Sequence, residues 1–380
     1  MVLGAQAHGP LGIFRSLGRL GIPVHALDTE PKAAPASSRY LRSRTVADLS
    51  GSTPETLIGA LLWLADRFDR PAILIPTSDH TTLLVDACRD VLHGRYLLPR
   101  QPAGLASALA DKRTMATLAT AHGVPTPNVV IPVGVGDVRA YAADARFPVM
   151  LKGIDGVRLR ERTGHKMVIV EEPAELVRLY ERMEDPSDRN LMLQEYIPGG
   201  DYDVWMFNGY FDDDSECLIG FTGKKLRQTP IHTGATSLGV VIPNSDVEET
   251  TAGWMHALGY RGILDIGYRF DARDGQYKVL DVNPRIGATF RLFVARNGMD
   301  VARAMYLDLT GQPVPTADPW TGRRWINEGA DLMSSIRYRR EGSLGIRGWL
   351  ASLRGIREGA YFARDDARPF VEMMGSFIHR

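Results

Sequence analysis

The chain has 380 residues, enough for two or three packed domains. It is 44% hydrophobic and 24% charged, which supports a large core and argues against disorder. Lys plus Arg equals Asp plus Glu at 45 each, so no global basic field exists to hold nucleic acid.

Cys88 and Cys217 are the only cysteines, and they form neither a disulfide framework nor a metal knuckle. No apolar run approaches the roughly 20 residues of a membrane span. No basic stretch precedes an apolar one at the N-terminus, so no signal peptide is visible and a cytoplasmic location is expected.

The first hundred residues read as an α/β layer. Val2-Leu3 is a clipped strand followed by the loop Gly4 to Gly12. A helix then places Ile13, Phe14, Leu17 and Leu20 on one face and closes at Gly21. Ile22 to Leu27 is a second strand ending at Asp28, which meets a polar substrate group or caps the strand end. Thr45-Val-Ala is a third, and Ser52-Thr-Pro-Glu55 signals a helix start. Ala72 to Ile75 is a buried strand, and Leu83, Leu84, Ala87 and Val91 mark the next helix. These spacings imply parallel pairing. The strict G-x-G-x-x-G is missing, and Pro10 removes an N–H that a pyrophosphate would want, so a dinucleotide site is not expected.

A second layer follows. Asp111-Lys112-Arg113 opens a helix that ends at His122-Gly123. Val149 to Lys152 is a strand delivering one Lys at its end. Gly153 to Gly156 and Thr163-Gly164 bracket a polar loop rich in Arg158, Arg160 and Arg162. Lys166 to Val170 returns as a strand, Pro173 to Met183 is helical, and Leu191 to Ile197 is a third strand ending at Pro198-Gly-Gly200. A two-stranded flap with a Gly-containing tip suits a mobile cover over phosphates. Farther on, Lys225 and Arg227 alternate on one side of a strand before the Gly-rich turn at Gly234. Ile263 to Asp271 and Gln276 to Asp281 form a hairpin around Asp274-Gly275.

The stretch Tyr277-Lys-Val-Leu-Asp-Val-Asn-Pro-Arg285 carries the most chemistry. Asp281 and Asn283 alternate with Leu280 and Val282, so the two polar side chains share a face. A carboxylate and a carboxamide side by side are hard oxygen ligands of the kind Mg²⁺ takes. Pro284 ends the strand, and Arg285 at its mouth can hold a phosphate or carboxylate bidentately.

Five motifs stand in a telling order: Asp111-Lys112, the strand-end Lys152, Gln194-Glu-Tyr-Ile-Pro-Gly199, Lys225-x-Arg227, and Asp281-x-Asn283-Pro-Arg285. In this order they resemble the ATP-grasp superfamily, within it the carboxylate–amine ligases around D-aspartate ligase and the carbamoyl-phosphate-synthase-like group. The opening Gly9-Pro-Leu-Gly-Ile-Phe-Arg-Ser-Leu-Gly-Arg-Leu-Gly-Ile22 is similar to that group's first motif, and the likeness covers residues 1–315.

The resemblance implies an α/β ATP-grasp fold. Residues 1–110 would form a Rossmann-like preATP-grasp domain, 111–200 the linker helix and flap subdomain, and 201–315 an α+β core with the metal site. Residues 316–380 would form a small helical appendage. It also implies ATP and Mg²⁺ as cofactors, with Mn²⁺ as a substitute. By resemblance, Lys152 reaches the α- and β-phosphates and Lys112 the α-phosphate side. Gln194 or Glu195 reads the adenine amine, with backbone groups of Tyr196 and Ile197 on the ring nitrogens. Asp201, with Asp203 beside it, holds the ribose. Lys225, Arg227 and Arg285 act at the transferred phosphate. The family's first metal acid falls at Gly267, so Asp265, facing the same side, takes that place with Asp281 and Asn283. Gly287 to Arg291 shape the acceptor pocket.

The implied reaction activates a small carboxylate as an acyl phosphate and joins it to an amine, releasing ADP and phosphate. Expected partners are these small molecules, with no nucleic acid and no membrane, and a homodimer is left open. Two alternatives stand: a bicarbonate-using enzyme like carbamoyl phosphate synthase, and an ATP-binding relative with weak turnover.

Overall fold

The computed structural model describes residues 1–28, 33–47 and 53–378. The chain divides into two compact units. The first comprises Met1–Ser107, Gly200–Tyr268 and Val282–Arg380; the second comprises Ala108–Gly199 and Arg269–Asp281.

In the first unit, the N-terminal layer is a four-stranded parallel sheet. Its order is Leu41–Val46, Val24–Asp28, Val2–Leu3, Ile75–Pro76. The predicted strand 72–75 is split. Ala72–Ile73 pairs instead with Tyr96–Leu97, while Ile75–Pro76 takes an edge of the main sheet. An edge is where Pro76, with no N–H to donate, is tolerated. Helix His8–Gly18 buries Ile13, Phe14 and Leu17 as expected, but it stops before Leu20, which is left 55% exposed. The predicted helix start at Ser52 lies outside the described residues; Thr53 is the cap of helix Pro54–Ala65 and accepts from the Thr56 N–H.

The same unit holds the antiparallel strands Val204–Phe211, Cys217–Thr229 and Ala235–Val241. Every residue of Val204–Phe211 is buried, as befits a central strand covered on both faces. Residues 316–380, expected as a helical appendage, hold three helices and also two strands. Arg324–Ile326 pairs with Ala235–Val241, and Ile356–Gly359 pairs with Arg324–Ile326, so this segment extends the central sheet.

Buried arginines tie that segment down. Arg15, 1% exposed, donates through Nε to Asp366 at 3.0 Å and through Nη2 to the Tyr361 carbonyl at 2.6 Å. Arg291 grips Glu358 with Nε and Nη2 at 2.7 and 2.8 Å and also pairs with Asp300; Arg323 adds a contact to Glu358 at 2.6 Å. Burial alone would push the Glu358 carboxyl up, yet Arg291 and Arg323 hold it below the usual carboxylate range. Charges this deep persist only when paired.

The second unit is built on an antiparallel sheet ordered Val129–Val130, Leu191–Glu195, Val149–Gly153, Met167–Val170. Helix Pro173–Met183 buries Leu176, Leu179, Tyr180 and Met183, the one-sided spacing of a core-facing helix. The segment predicted as an Arg-rich loop is instead helix Gly156–Thr163. Asp155 caps it by accepting from the Val157 and Arg158 N–H groups, and Gly164 ends it at φ 81°. Arg, Leu and Glu between those two punctuation marks are good helix formers.

The hairpin of Gly262–Asp271 and Gln276–Asn283 belongs to both units. It turns at Gly275, which takes φ 73°.

Candidate active site

In the second unit, Lys112 and Gln194 line one small cavity, and Lys152 reaches Gln194. Lys112 is the first residue of helix Lys112–Ala121, behind the Asp111 cap, and its Nζ donates to the Ile154 carbonyl at 2.8 Å. Lys152, on the middle strand Val149–Gly153, points its Nζ at the Gln194 Oε1, 3.4 Å away. Lys112, Gln194, Met115, Val129, Met192 and Leu280 line the cavity. Lys112, Thr126 and Gln194 are the polar members of an otherwise apolar lining, and the free volume is about 10 Å³, room for about one water.

Burial pushes the Lys152 ammonium down to about 8; Asp281 acts against that shift and Lys112 with it. Part of the Lys152 side chain reaches solvent, but the ammonium itself is closed in. Of the two candidate readers of an adenine amine, Gln194 is buried at the cavity. Glu195 is tied down elsewhere: it accepts from the Asn128 N–H at 3.1 Å and meets Arg273 at 2.5 Å and Lys278 at 3.7 Å. Tyr196 lies 6.0 Å from the Arg269 guanidinium, and Ile197 is buried. Asp281 is exposed on its strand, with Val282 facing inward.

In the first unit, a second set forms a continuous chain. Asn283 donates through Nδ2 to Asp265 at 3.2 Å and accepts at Oδ1 from Arg285 at 3.1 Å. Arg285 Nε donates in turn to Asp79 at 2.6 Å. Asp79 was not singled out from sequence. Its position in the first turn after the parallel-sheet strand Ile75–Pro76 was the available signal, because ligands collect at the carboxyl ends of such strands. Among the described residues, no group of three His, Cys, Asp or Glu side chains gathers as a metal cluster. The oxygen donors here are Asp265, Asn283 and, on the same strand as Asn283, Asp281.

Gly287 closes this set. A Cβ there would lie 2.5 Å from the Asp265 Cγ and 2.7 Å from each carboxylate oxygen. Gly287→Ala should therefore displace Asp265 and raise the Mg²⁺ concentration needed for half-maximal turnover, with little change in thermal midpoint. An unchanged Mg²⁺ titration would remove Asp265 from the metal site. At Gly267, where the resemblance leads one to expect the family's first metal acid, an added Cβ meets nothing within 4 Å.

The remaining predicted residues are placed apart from these two groups. Asp201 accepts from Gln228 Nε2 at 2.8 Å and from the Tyr338 hydroxyl, with His232 Nδ1 at 3.3 Å. Asp203 accepts from the Gly200 N–H at 2.8 Å. Lys225 donates to the Gly234 carbonyl at 3.0 Å, across the loop it precedes. Arg227 is 4% exposed, paired with Asp331 through two 2.8 Å contacts and with Ser352 through a third at 2.7 Å. The expected alternation of Lys225 and Arg227 fails because the strand bulges between them, which turns the later side chain inward. Lys224, not predicted, stands over the rings of Tyr202 and Trp205 at 3.9 and 4.3 Å. Arg291, weighed as an acceptor-binding residue, is the buried partner of Glu358 described above.

With a parallel N-terminal layer, a separate antiparallel unit and a core strand ending in Asp281-x-Asn283-Pro-Arg285, the chain has the ATP-grasp fold. It is similar to the D-aspartate ligase of Enterococcus faecium, 25% identical over 285 residues, which is 70% of this chain and 67% of that one. The N-terminal section of the carbamoyl phosphate synthase large chain of Methanopyrus kandleri is 26% identical over 147 residues, 36% of this chain and 25% of that protein. Among solved structures, the biotin carboxylase domain of Hydrogenobacter thermophilus 2-oxoglutarate carboxylase, a dimer in complex with MgADP, ADP and bicarbonate, superposes at TM-score 0.63. That match has 17% identity and covers 85% of this chain and 72% of that one. No protein-family model matches the chain.

Proposed function

We propose that this protein is an ATP-dependent carboxylate–amine ligase that activates a small carboxylic acid as an acyl phosphate. A carboxylate oxygen attacks the γ-phosphorus of ATP and ADP leaves. An amine then attacks the acyl carbon, the C–O bond to phosphate breaks, phosphate departs and the amine gives up a proton. The observation that carries this reading is the hydrogen-bonded run Asp265–Asn283–Arg285, at the end of the strand that also bears Asp281. The likeness to D-aspartate ligase points the same way.

The residues have definable tasks. Gln194 is the acceptor proposed for the adenine amine; Glu195 serves instead to fix Arg273 and Lys278. Lys152 and Lys112 meet phosphate oxygens, where charge-assisted contacts are strongest. Asp281, Asp265 and Asn283 offer Mg²⁺ two carboxylates and a carboxamide oxygen, a donor set that fits a hard divalent ion. Held by these residues, Mg²⁺ would supply charge neutralisation at the terminal phosphates. Arg285, set by Asn283 and Asp79, steadies the transferred phosphoryl or the acid. Lys225 stands near the Gly234 loop in the same reading, and Asp201 and Asp203 toward the ribose. The buried pairing of Arg227 favours a role in positioning its strand.

The direct test is ADP and phosphate release that requires both an acid and an amine, with hydroxylamine trapping the acyl phosphate. AMP and pyrophosphate in place of ADP would overturn the reading. Bicarbonate as the acid is the second reading, motivated by the carbamoyl phosphate synthase likeness; release that depends on bicarbonate alone would favour it. We also place the protein in the cytoplasm and leave Mn²⁺ as a substitute metal. No helix among the described residues is long and apolar enough to cross a membrane.

Lys152→Met keeps stem length and apolar burial but removes the ammonium. It should weaken ATP by roughly 1.5–3 kcal/mol, the loss of one charge-assisted hydrogen bond. Its pH signature is separable. The charged form binds phosphate and predominates only below about pH 8, so kcat/KM for ATP should fall as pH rises through that value. The Lys152→Met profile should lack this limb. ATP affinity equal to the parent's would refute the assignment.

A further inference from the structure

Beside Arg285, the first unit contains a second recess, of about 90 Å³. Helix Asp79–Ala87 supplies Thr82 and Val85 to one side, and Leu98 and Pro99 form another. Tyr260 to Ile263 and Pro284 to Ile286 close it, with Met305 behind. Carbon makes up most of the wall. On the same measure one water needs about 10–15 Å³, so the recess has room for a short branched chain.

Three arginines line this recess, and they are unequally compensated. Arg89 is paired with Asp86. Arg285 donates to Asp79. The Arg261 side chain has one carbonyl oxygen for a partner: its Nη1 donates to the Arg100 carbonyl at 3.0 Å. Gln101 holds its backbone from both sides, accepting from the Arg261 N–H at 2.9 Å and donating to the Arg261 carbonyl at 2.6 Å. The Arg261 Nε is buried and meets no acceptor. Carbonyl dipoles orient a guanidinium without cancelling its charge. A buried N–H left unpaired asks for an acceptor, and a held guanidinium fork is shaped for a carboxylate.

We propose that this recess binds a small monocarboxylate with an apolar chain, its carboxylate on Arg261 and its carbons against Leu98, Ile263 and Met305. One uncompensated charge matches a monoanion rather than a phosphate dianion. Because Pro284 to Ile286 form part of the wall, an occupant touches the loop that presents Arg285. The site is distinct from Lys112, Lys152 and Gln194, which belong to the other unit, and it does not depend on the ligase reading.

The test is titration of the full chain, without nucleotide, by calorimetry or ligand-observed NMR. The probes are 3-methylbutanoate, its uncharged amide and acetate, against the parent, Arg261→Gln and Arg261→Lys. We expect saturable binding of 3-methylbutanoate. The amide, acetate and the Arg261→Gln variant should each weaken it roughly tenfold, the scale of one lost charge-assisted contact or of several buried carbons. Arg261→Lys should recover part of the affinity, and both variants should keep the parent's thermal midpoint. Equal binding of amide and acid, or of parent and Arg261→Gln, overturns the proposal. So does binding that survives Arg261→Gln but is lost in Lys152→Met. Absence of ATP-dependent hydroxamate formation would defeat the ligase reading and leave this binding untouched, so the two fail separately.

Discussion

Asp281→Asn should abolish turnover while leaving the fold intact. The side chain is exposed at the end of its strand, so the amide costs little in stability. What it removes is a full negative charge from the oxygen donors proposed for Mg²⁺. A second consequence follows from Lys152. Asp281 supports the charged form of that ammonium against burial. Without it the Lys152 pKa falls below about 8, and the charged fraction at neutral pH shrinks. Residual activity should therefore lose its alkaline limb at lower pH than the parent. Asp265→Asn should act differently, raising the Mg²⁺ requirement more than it lowers the maximal rate, because Asn283 and water still fill the coordination sphere. Gly267→Asp has room for its Cβ and should tighten Mg²⁺ if the family's acid has simply been lost there. A Mg²⁺ titration of ATP turnover at several pH values separates the three, and full activity in Asp281→Asn would falsify the metal assignment.

Arg227→Met should be the most destabilising single change among the residues discussed. It leaves Asp331, 1% exposed, without the cation that meets both its oxygens. Only the weaker contacts from Ser237 and Trp349, each at 3.3 Å, remain. Breaking one partner of a buried pair costs about 3–5 kcal/mol, since the survivor keeps its desolvation penalty. Pairing the change with Asp331→Leu should recover much of the loss, because two apolar groups need no compensation. Arg227→Lys should not recover it, because an ammonium cannot reproduce the two-pronged grip. Urea unfolding of the three variants reads this directly. A loss under about 1 kcal/mol for Arg227→Met would show the pair to be solvent-relieved.

The sequence patterns that proved reliable were local ones. Alternation around Leu280 and Val282, the cap at Asp111 and the one-sided helix from Pro173 to Met183 each need only neighbouring residues, and each stands in the structure. Misreadings arose where the deciding partner is remote. Helix Gly156–Thr163 is the local exception: its arginines suggest a solvated loop, while the adjacent cap at Asp155 decides otherwise. Arg227 looked poised for phosphate because Asp331, 104 residues on, is invisible to a local pattern. The strand Ile356–Gly359 has four residues and no clear alternation, and only its pairing with Arg324–Ile326 makes it a strand. At the site, residue types and order pointed to Asp281, Asn283 and Arg285, whereas the contact of Arg285 with Asp79 spans 206 positions and had to be seen.

The anchoring of Arg15 bears on how the protein is made. Arg15 lies in the first helix, yet the carboxylate that compensates it is Asp366, 351 positions later. During synthesis at about 5–20 residues per second, that guanidinium waits tens of seconds for its counterion. Until then the helix cannot settle into its final surroundings without burying a lone charge. The stretch Ala108–Gly199, by contrast, finds most of its packing within itself. Nascent chains should therefore acquire protease resistance in the stretch 108–199 before the helix that carries Arg15 is locked in place.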